Sequence, residues 1–306
     1  MDGNETSSFE DPALGQLKGF DPAQPSCKQP LAISPLLEIV CERPRRSAIM
    51  VDFDGTISWI VDDPASARPV AGARESLLRL AEKFGMVAVV SGRSVSFLLD
   101  QLGFVDEMTN LVIVGSHGAE RWTRARGVEV IASDGEWAGV IAGIDARARE
   151  ELGDAVVVEN KVLGLTFHWR QGPAMERVAV DLAERLASEH GLMLQRGHMC
   201  VELRPGSSPD KGDAVSGLIR LRLRADLSES GAEPSREIES AVFVGDDIGD
   251  LAAFQALDRI AARTGLHPVK VAVGGPEVPP ALLAAADMVV DAPTGVMELL
   301  GLFLDC

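Results

Sequence analysis

The stretch that most constrains this chain is Ala48-Ile49-Met50-Val51-Asp52-Phe53-Asp54-Gly55-Thr56-Ile57. A short apolar run that ends in two carboxylates and a glycine predicts a buried strand over Ile49–Val51. In open α/β sheets, ligands bind outside the carboxyl ends of the strands, so Asp52 and Asp54 are expected at such a position. Two carboxylates one residue apart repel each other unless a cation lies between them, and hard oxygen ligands suit Mg²⁺. An accessible metal-bound carboxylate can attack phosphorus and form an aspartyl-phosphate. The same string also suits an ordinary acidic turn, since Asp and Gly favour turns. The rest of the chain has to decide between the two.

The 306 residues, 46% hydrophobic and 25% charged, suffice for one large or two ordinary globular domains. The net charge of −17 argues against a nucleic-acid partner. It also means that any phosphate substrate needs local Lys, Arg and Mg²⁺ to receive it. Cys27, Cys41, Cys200 and Cys306 form neither C-x-x-C nor a zinc spacing, so free thiols in a reducing cytoplasm are expected. The N-terminus, Met1-Asp2-Gly3-Asn4, lacks the basic and apolar regions of a signal peptide. No run approaches the roughly 18 apolar residues of a membrane span. The expectation is a cytoplasmic monomer without a membrane partner.

Residues 1–30, rich in Ser, Pro, Gly and acidic side chains, read as a disordered acidic tail. Residues 31–117 read as the first part of an α/β core. A short helix over Ile33–Val40 precedes the first strand, and the basic cluster Arg43-Pro44-Arg45-Arg46 between them reads as a solvated turn. A crossover helix over Ala71–Phe84, with Leu77, Leu78, Leu80, Ala81 and Phe84 at helical spacing, leads to a strand over Met86–Val90. A helix over Val95–Leu102 and a strand over Leu111–Val114 follow. Strand, helix, strand implies a right-handed parallel unit. Residues 118–206 change texture. Strand-like stretches at 121–132 and 155–170, helices over Trp137–Leu152 and Met175–His190, and a strand over Met199–Leu203 predict an inserted α+β cap. Residues 207–306 return to the core. There we expect a helix opened by Lys211-Gly212, a polar loop at 227–239, strands at Ala241–Val244, Val269–Val273 and Met288–Val290, and a closing helix over Thr294–Phe303.

Three further motifs carry chemistry. Ser91-Gly92-Arg93 closes the second strand, where a hydroxyl and backbone N–H can hold a phosphate oxygen, or where Ser91 simply caps the next helix. Lys211 opens a helix, where positive charge opposes the macrodipole; an anion it serves would explain the placement, and an ordinary surface lysine is the alternative. Gly245-Asp246-Asp247-Ile248-Gly249-Asp250 gathers three acids at a strand end, which is electrostatically costly without a cation.

Taken in order, D-x-D-G-T, S-G-R, the helix-opening Lys211 and G-D-D-I-G-D resemble the four motifs of the haloacid-dehalogenase (HAD) phosphatases, over residues 48–115 and about 207–300. The resemblance implies a Rossmannoid parallel-sheet core with a C2-type cap inserted between the second and third motifs. Within that branch, Gly115-Ser116-His117-Gly118, Val158-Glu159-Asn160-Lys161, Thr166-Phe167-His168-Trp169-Arg170 and Val201-Glu202-Leu203-Arg204-Pro205 are similar to the trehalose-6-phosphate phosphatases. Such enzymes carry out the last step of trehalose biosynthesis, so the resemblance implies hydrolysis of trehalose 6-phosphate to trehalose and phosphate. It makes Asp52 the nucleophile and Asp54 the acid and base, with Ser91 and Lys211 on the phosphate. It gives Mg²⁺ to Asp52, Asp246 and the backbone carbonyl of Asp54, with Asp247 and Asp250 behind them. It assigns Gly92, Arg93, His117, Glu159, Lys161 and Glu202 to the substrate.

Other readings stay open from the residues themselves. Glu159 and Lys161 also fit a local salt bridge, and Glu202 a strand edge. His168 and Arg170 fit the paving of a sheet face, and His190, His198 and His267 read as surface or structural. The family's fourth motif usually continues Gly-Asp-Asp-x-Thr-Asp-Glu, whereas Gly249 and Leu251 here remove a hydroxyl and a carboxylate. Another sugar phosphate (sucrose, mannosylglycerate or glucosylglycerol phosphate), a phosphomutase, or a sugar-phosphate sensor without turnover are the alternatives.

Overall fold

Helix α1 (Pro35–Glu42) has proline at its first position, where the missing N–H has no intrahelical partner to lose, and buries Leu37 and Val40. Strand β1 (Ser47–Val51) follows with every residue buried. A strand covered on both faces must be apolar throughout, which is why the run before Asp52 does not alternate. The computed structural model describes residues 34–103, 110–131, 135–161, 163–197, 199–225 and 238–306. The expected tail, His198 and all but the end of the expected polar loop lie outside the described residues.

Helix α2 (Ala73–Lys83), strand β2 (Met86–Val90), helix α3 (Val95–Leu102) and strand β3 (Leu111–Gly115) extend the core to one side. A hairpin, β4 (Glu120–Thr123) and β5 (Gly127–Val130), follows. The inserted unit then comprises α4 (Gly135–Leu152), β6 (Val157–Lys161), β7 (Gly164–His168), α5 (Glu176–His190), β8 (Leu192–Gly197) and β9 (Cys200–Pro205). The chain finishes with α6 (Lys211–Ala225), β10 (Ser240–Gly245), α7 (Asp250–Thr264), β11 (His267–Gly274), α8 (Pro280–Ala285), β12 (Met288–Asp291) and α9 (Ala292–Asp305).

The large sheet has the order β12-β11-β10-β1-β2-β3-β4-β5. β1 is parallel to both β2 and β10. The chain builds outward from β1 to β3 and later resumes on the opposite side of β1 at β10. That reversal opens a crevice at the carboxyl ends of β1, β2 and β10. Segment 118–130, expected within the inserted unit, belongs here instead: β4 and β5 pair antiparallel onto the edge of β3. The tight turn after β3 returns the chain along the same sheet before it departs.

The second sheet, β6-β7-β9-β8, is antiparallel throughout. Leu165, Phe167, Val201 and Leu203 point from it into a core shared with Ile141, Ile144 and Ala148 of α4 and Leu182 and Leu186 of α5. Its other face is polar and turns toward the crevice.

The cysteines depart from expectation. Cys41, in α1, and Cys306, after α9, form a disulfide with Cα atoms 5.3 Å apart, and Cys200 is free. Residues 265 positions apart carry no local sign of their meeting. They meet because the first and last described helices end side by side. The basic cluster after α1 is also partly engaged, with Arg43 and Arg46 both pairing with Glu239.

Candidate active site

Strand ends and one helix start converge on a cavity of about 400 Å³. Asp52 directly follows β1, and its N–H continues the ladder by donating to the Val244 carbonyl at 2.9 Å. It is 4% exposed. Its Oδ1 accepts the Phe53 N–H at 2.6 Å, and its Oδ2 lies 2.8 Å from Lys211 Nζ. Lys211, the first residue of α6, is 3% exposed and also reaches Asp250 Oδ1 at 2.7 Å. The helix-start lysine is therefore buried between two anions and is no surface residue. Burial holds Asp52 well above the usual carboxylate range, with Lys211 pulling the other way. Burial would lower the Lys211 ammonium, but Asp250 and Asp52 outweigh it and hold it well above an ordinary lysine.

Asp52, Asp246 and Asp250 form a carboxylate cluster in which one oxygen from each lies within 4.8 Å of the others. Asp250 has both oxygens committed. Oδ1 meets Lys211, and Oδ2 accepts the N–H groups of Asp246 and Asp247 at 2.9 and 3.0 Å. It braces the loop that follows β10. Asp246 Oδ1 is buried with no partner among the described residues. Burial, then the charges of Asp52 and Asp250, hold the Asp246 carboxyl well above its usual range. A buried acceptor facing like charges suits a hard cation such as Mg²⁺, which Asp52 and Asp246 would hold. Gly55, at φ +69°, leaves the necessary space, since a Cβ there would lie 1.9 Å from Asp246 Oδ2.

The Asp54 carboxylate is outside the cluster, where Arg93 grips it with two hydrogen bonds, Nε to Oδ2 at 2.7 Å and Nη2 to Oδ1 at 2.9 Å. Only its backbone carbonyl is left for a cation. One acid sits differently from expectation. Asp247 is exposed rather than tucked behind the ligands, and its Oδ1 accepts the Gly249 N–H at 2.6 Å.

Ser91 directly follows β2, almost fully buried, and its Oγ accepts the Arg93 N–H at 3.2 Å. The cap of α3 is Ser94, which accepts from Phe97 N–H, so Ser91 does not serve that purpose. The Arg93 guanidinium lies 4.8 Å from the centre of the Phe97 ring, and Phe97 meets Phe53 edge-on at 5.9 Å. Its remaining amino group, Nη1, is 3.6 Å from Glu159 Oε1 on the small sheet. Arg93 thus touches both halves of the cavity.

From the small sheet, Glu159, Lys161, Thr166, His168, Cys200 and Glu202 line the cavity. Glu202 Oε2 takes the Lys161 ammonium at 3.0 Å and lies 3.0 Å from His117 Nε2. Glu159 Oε2 lies 2.9 Å from His168 Nε2. Lys161 therefore pairs across the sheet with Glu202, and the local bridge to Glu159 does not form. Burial opposes the charge on Glu159, but His168, Lys161 and Arg93 prevail and hold it at about 2. Glu202 is likewise held well below its usual range, by His117 and Lys161 against burial. His117 reaches its position through two successive left-handed residues, Ser116 at φ +49° and His117 at φ +56°. Gly92 lets its ring approach, since a Cβ there would lie 2.7 Å from it.

The sequence model of the family described as Trehalose-phosphatase matches residues 50–281. The chain belongs to the trehalose-phosphatase family. The trehalose-phosphate phosphatase of Mycolicibacterium paratuberculosis is 40% identical over 218 residues, covering 70% of this chain and 52% of that protein. The chain spans about half the length of the curated relatives it matches. The C-terminal domain of Candida albicans trehalose-6-phosphate phosphatase superposes with a TM-score of 0.67 at 24% identity, over 89% of this chain and 96% of that one. A haloacid dehalogenase-like hydrolase from Bacteroides thetaiotaomicron gives 0.55 at 16% identity, over 83% and 98%. These structures establish the HAD-like fold.

Against this family's fourth motif, Leu251 packs on the core cluster beneath the large sheet, so its lost carboxylate is replaced by apolar contact. Gly249 holds Asp247 through its backbone N–H. Sequence reading undervalued His168 and Arg170, whose alternation on one strand looked like paving. His168 meets Glu159, and Arg170 grips Glu277 of the core with two hydrogen bonds of 3.1 Å. It gave Thr166 no role of its own within its segment and missed Gln195, two further residues of the cavity wall. His267 is structural, meeting the Leu36 carbonyl at 3.1 Å. No described helix is long and apolar enough to cross a membrane.

Proposed function

We propose that this chain hydrolyses trehalose 6-phosphate to trehalose and phosphate, with Mg²⁺ and through a phosphoryl group carried on Asp52. The observation that carries the reading is the buried pair of Asp52 Oδ2 and Lys211 Nζ at 2.8 Å, in the wall of the cavity with Asp54 two residues on. A carboxylate oxygen of Asp52 attacks phosphorus as the bond to the sugar oxygen breaks, and Asp54 delivers a proton to that oxygen. Asp54 then takes a proton from water, whose oxygen attacks phosphorus and frees Asp52. Lys211 and Ser91 bind the phosphoryl oxygens throughout. Arg93 fixes the direction in which Asp54 presents its proton. Mg²⁺ bound by Asp52, Asp246 and the Asp54 carbonyl would offset charge on the phosphoryl group. His117, Glu159, Lys161 and Glu202 hold the sugar hydroxyls, because charged groups make the stronger hydrogen bonds. The small sheet and its helices act as the cap, which excludes bulk water while Arg170 and Glu277 clasp it to the core.

The test is phosphate release from a panel of sugar phosphates, with Mg²⁺ and with EDTA. Release from trehalose 6-phosphate that EDTA abolishes and Mg²⁺ restores is expected. Release from a different sugar phosphate would keep the chemistry and discard the sugar, and no release from any would end the proposal.

A further inference from the structure

The cavity-facing side of the cap carries a row of residues that no contiguous motif reveals. Pairing of β6 with β7 sets Glu159 opposite Thr166. Pairing of β7 with β9 sets Thr166 opposite Glu202, and pairing of β8 with β9 sets Gln195 opposite Glu202. Glu159, Thr166, Glu202 and Gln195 therefore stand side by side across all four strands, and all four line the cavity. With strands spaced about 4.8 Å apart, the row is about 14 Å long.

Three of the four have partners. Glu159 meets His168, Glu202 meets Lys161 and His117, and Gln195 Oε1 accepts from Arg204 Nη2 at 3.0 Å. Thr166 is 2% exposed, and its Oγ1 has no hydrogen-bond partner among the described residues. A buried hydroxyl left unbonded is destabilising, and native proteins rarely keep one without a use. Its shape does not require the oxygen, since valine would serve a strand equally well.

Building on the sugar-phosphate reading above, we propose that Thr166 is a specificity residue whose hydroxyl bonds a sugar hydroxyl held between Glu159 and Glu202. The donor arithmetic closes. Carboxylates only accept, so sugar hydroxyls donate to Glu159 and Glu202, and a sugar oxygen that has given its proton still has lone pairs to accept the Thr166 O–H. Thr166 lines the cavity, and rotation about χ1 can place its hydroxyl where the methyl stands, the methyl then moving to the hydrogen's position.

Thr166→Val keeps the shape and removes the hydroxyl. Expected are a KM for trehalose 6-phosphate raised about 5- to 20-fold with kcat little changed, as for loss of a contact made equally in the ground and transition states. Turnover of p-nitrophenyl phosphate is expected unchanged, and the Tm of the ligand-free variant equal to or above wild type. Thr166→Ser is expected to restore KM, since it returns the hydroxyl alone. An unchanged KM in Thr166→Val beside normal wild-type turnover overturns the role of Thr166 only. Equal losses on both substrates, or failure of serine to rescue, make the residue structural and overturn it as well. Wild-type protein that turns over no sugar phosphate overturns the underlying reading and Thr166 with it.

Discussion

The two sheets bring residues to the same cavity by opposite means. The inner strands β1, β2 and β10 of the large sheet are buried on both faces, so its chemical groups stand in the loops that follow the strands and, with Lys211, at the start of α6. The cap sheet buries one face against α4 and α5 and offers the other, so its groups are every second residue of neighbouring strands. Their electrostatics differ in the same way. The strand-end site crowds like charges, Asp52, Asp246 and Asp250, around one lysine. The cap face pairs each acid with a base, Glu202 with Lys161 and Glu159 with His168. A site of crowded like charges suits a cation and a reacting phosphoryl group. A face of matched pairs suits a neutral polyhydroxyl ligand, which exchanges hydrogen bonds without changing net charge.

This division can be broken by substitution. Asp52→Asn is expected to lower turnover at least about 10³-fold on every substrate, because the nucleophile is shared. Phosphate release at near-normal rates would dissolve the distinction at its root. Arg93→Lys replaces a two-pronged grip on Asp54 with a point charge. It is expected to slow sugar phosphates and small esters alike, by about 10- to 100-fold. A loss confined to the sugar phosphate would move Arg93 from the strand ends to the cap. Lys161→Ala is expected to cost a similar factor of about 10 to 100 in kcat/KM on trehalose 6-phosphate while leaving p-nitrophenyl phosphate within about twofold. Parallel losses in paired assays would remove Lys161 from the sugar face.

The gentlest test concerns stability. Glu159 titrates at about 2 in the folded protein against an ordinary 4.5. A depressed folded value means that its charge stabilises the fold fully above pH 4.5 and ceases to do so as the pH falls toward 2. The shift corresponds to at most about 3 kcal/mol. In urea unfolding, the stability gap between wild type and Glu159→Gln should therefore narrow as the pH falls through that window. A gap that stays constant down to pH 2 would show that the charge of Glu159 is not what the cap face uses.

The same difference between the sheets explains what could be read in advance. Groups at strand ends are adjacent in the chain, so Asp52 with Asp54, Ser91 with Arg93, and Asp246 with Asp250 were visible as short strings after apolar runs. Lys211 was visible because its charge is wrong for a helix start. Groups on a sheet face become neighbours only through register. Thr166 lies opposite Glu202, a residue 36 positions further along the chain, and nothing local marks either as part of a row. The alternative of a local bridge between Glu159 and Lys161 rested on proximity in sequence, whereas the fold pairs Lys161 with Glu202. The β4–β5 hairpin was expected in the cap because the texture of the chain changes after β3, and only its pairing with β3 settles the matter. The fourth-motif departures looked like losses until Leu251 was seen to pack on the core.

The link between Cys41 and Cys306 closes residues 41 to 306 into a covalent ring. A ring has no free ends to fray, and one cut anywhere along it opens the circle without dividing the molecule. A protease that nicks a surface loop of the oxidised protein thus yields one species of unchanged mass apart from an added water. The same nick in the reduced protein gives two fragments.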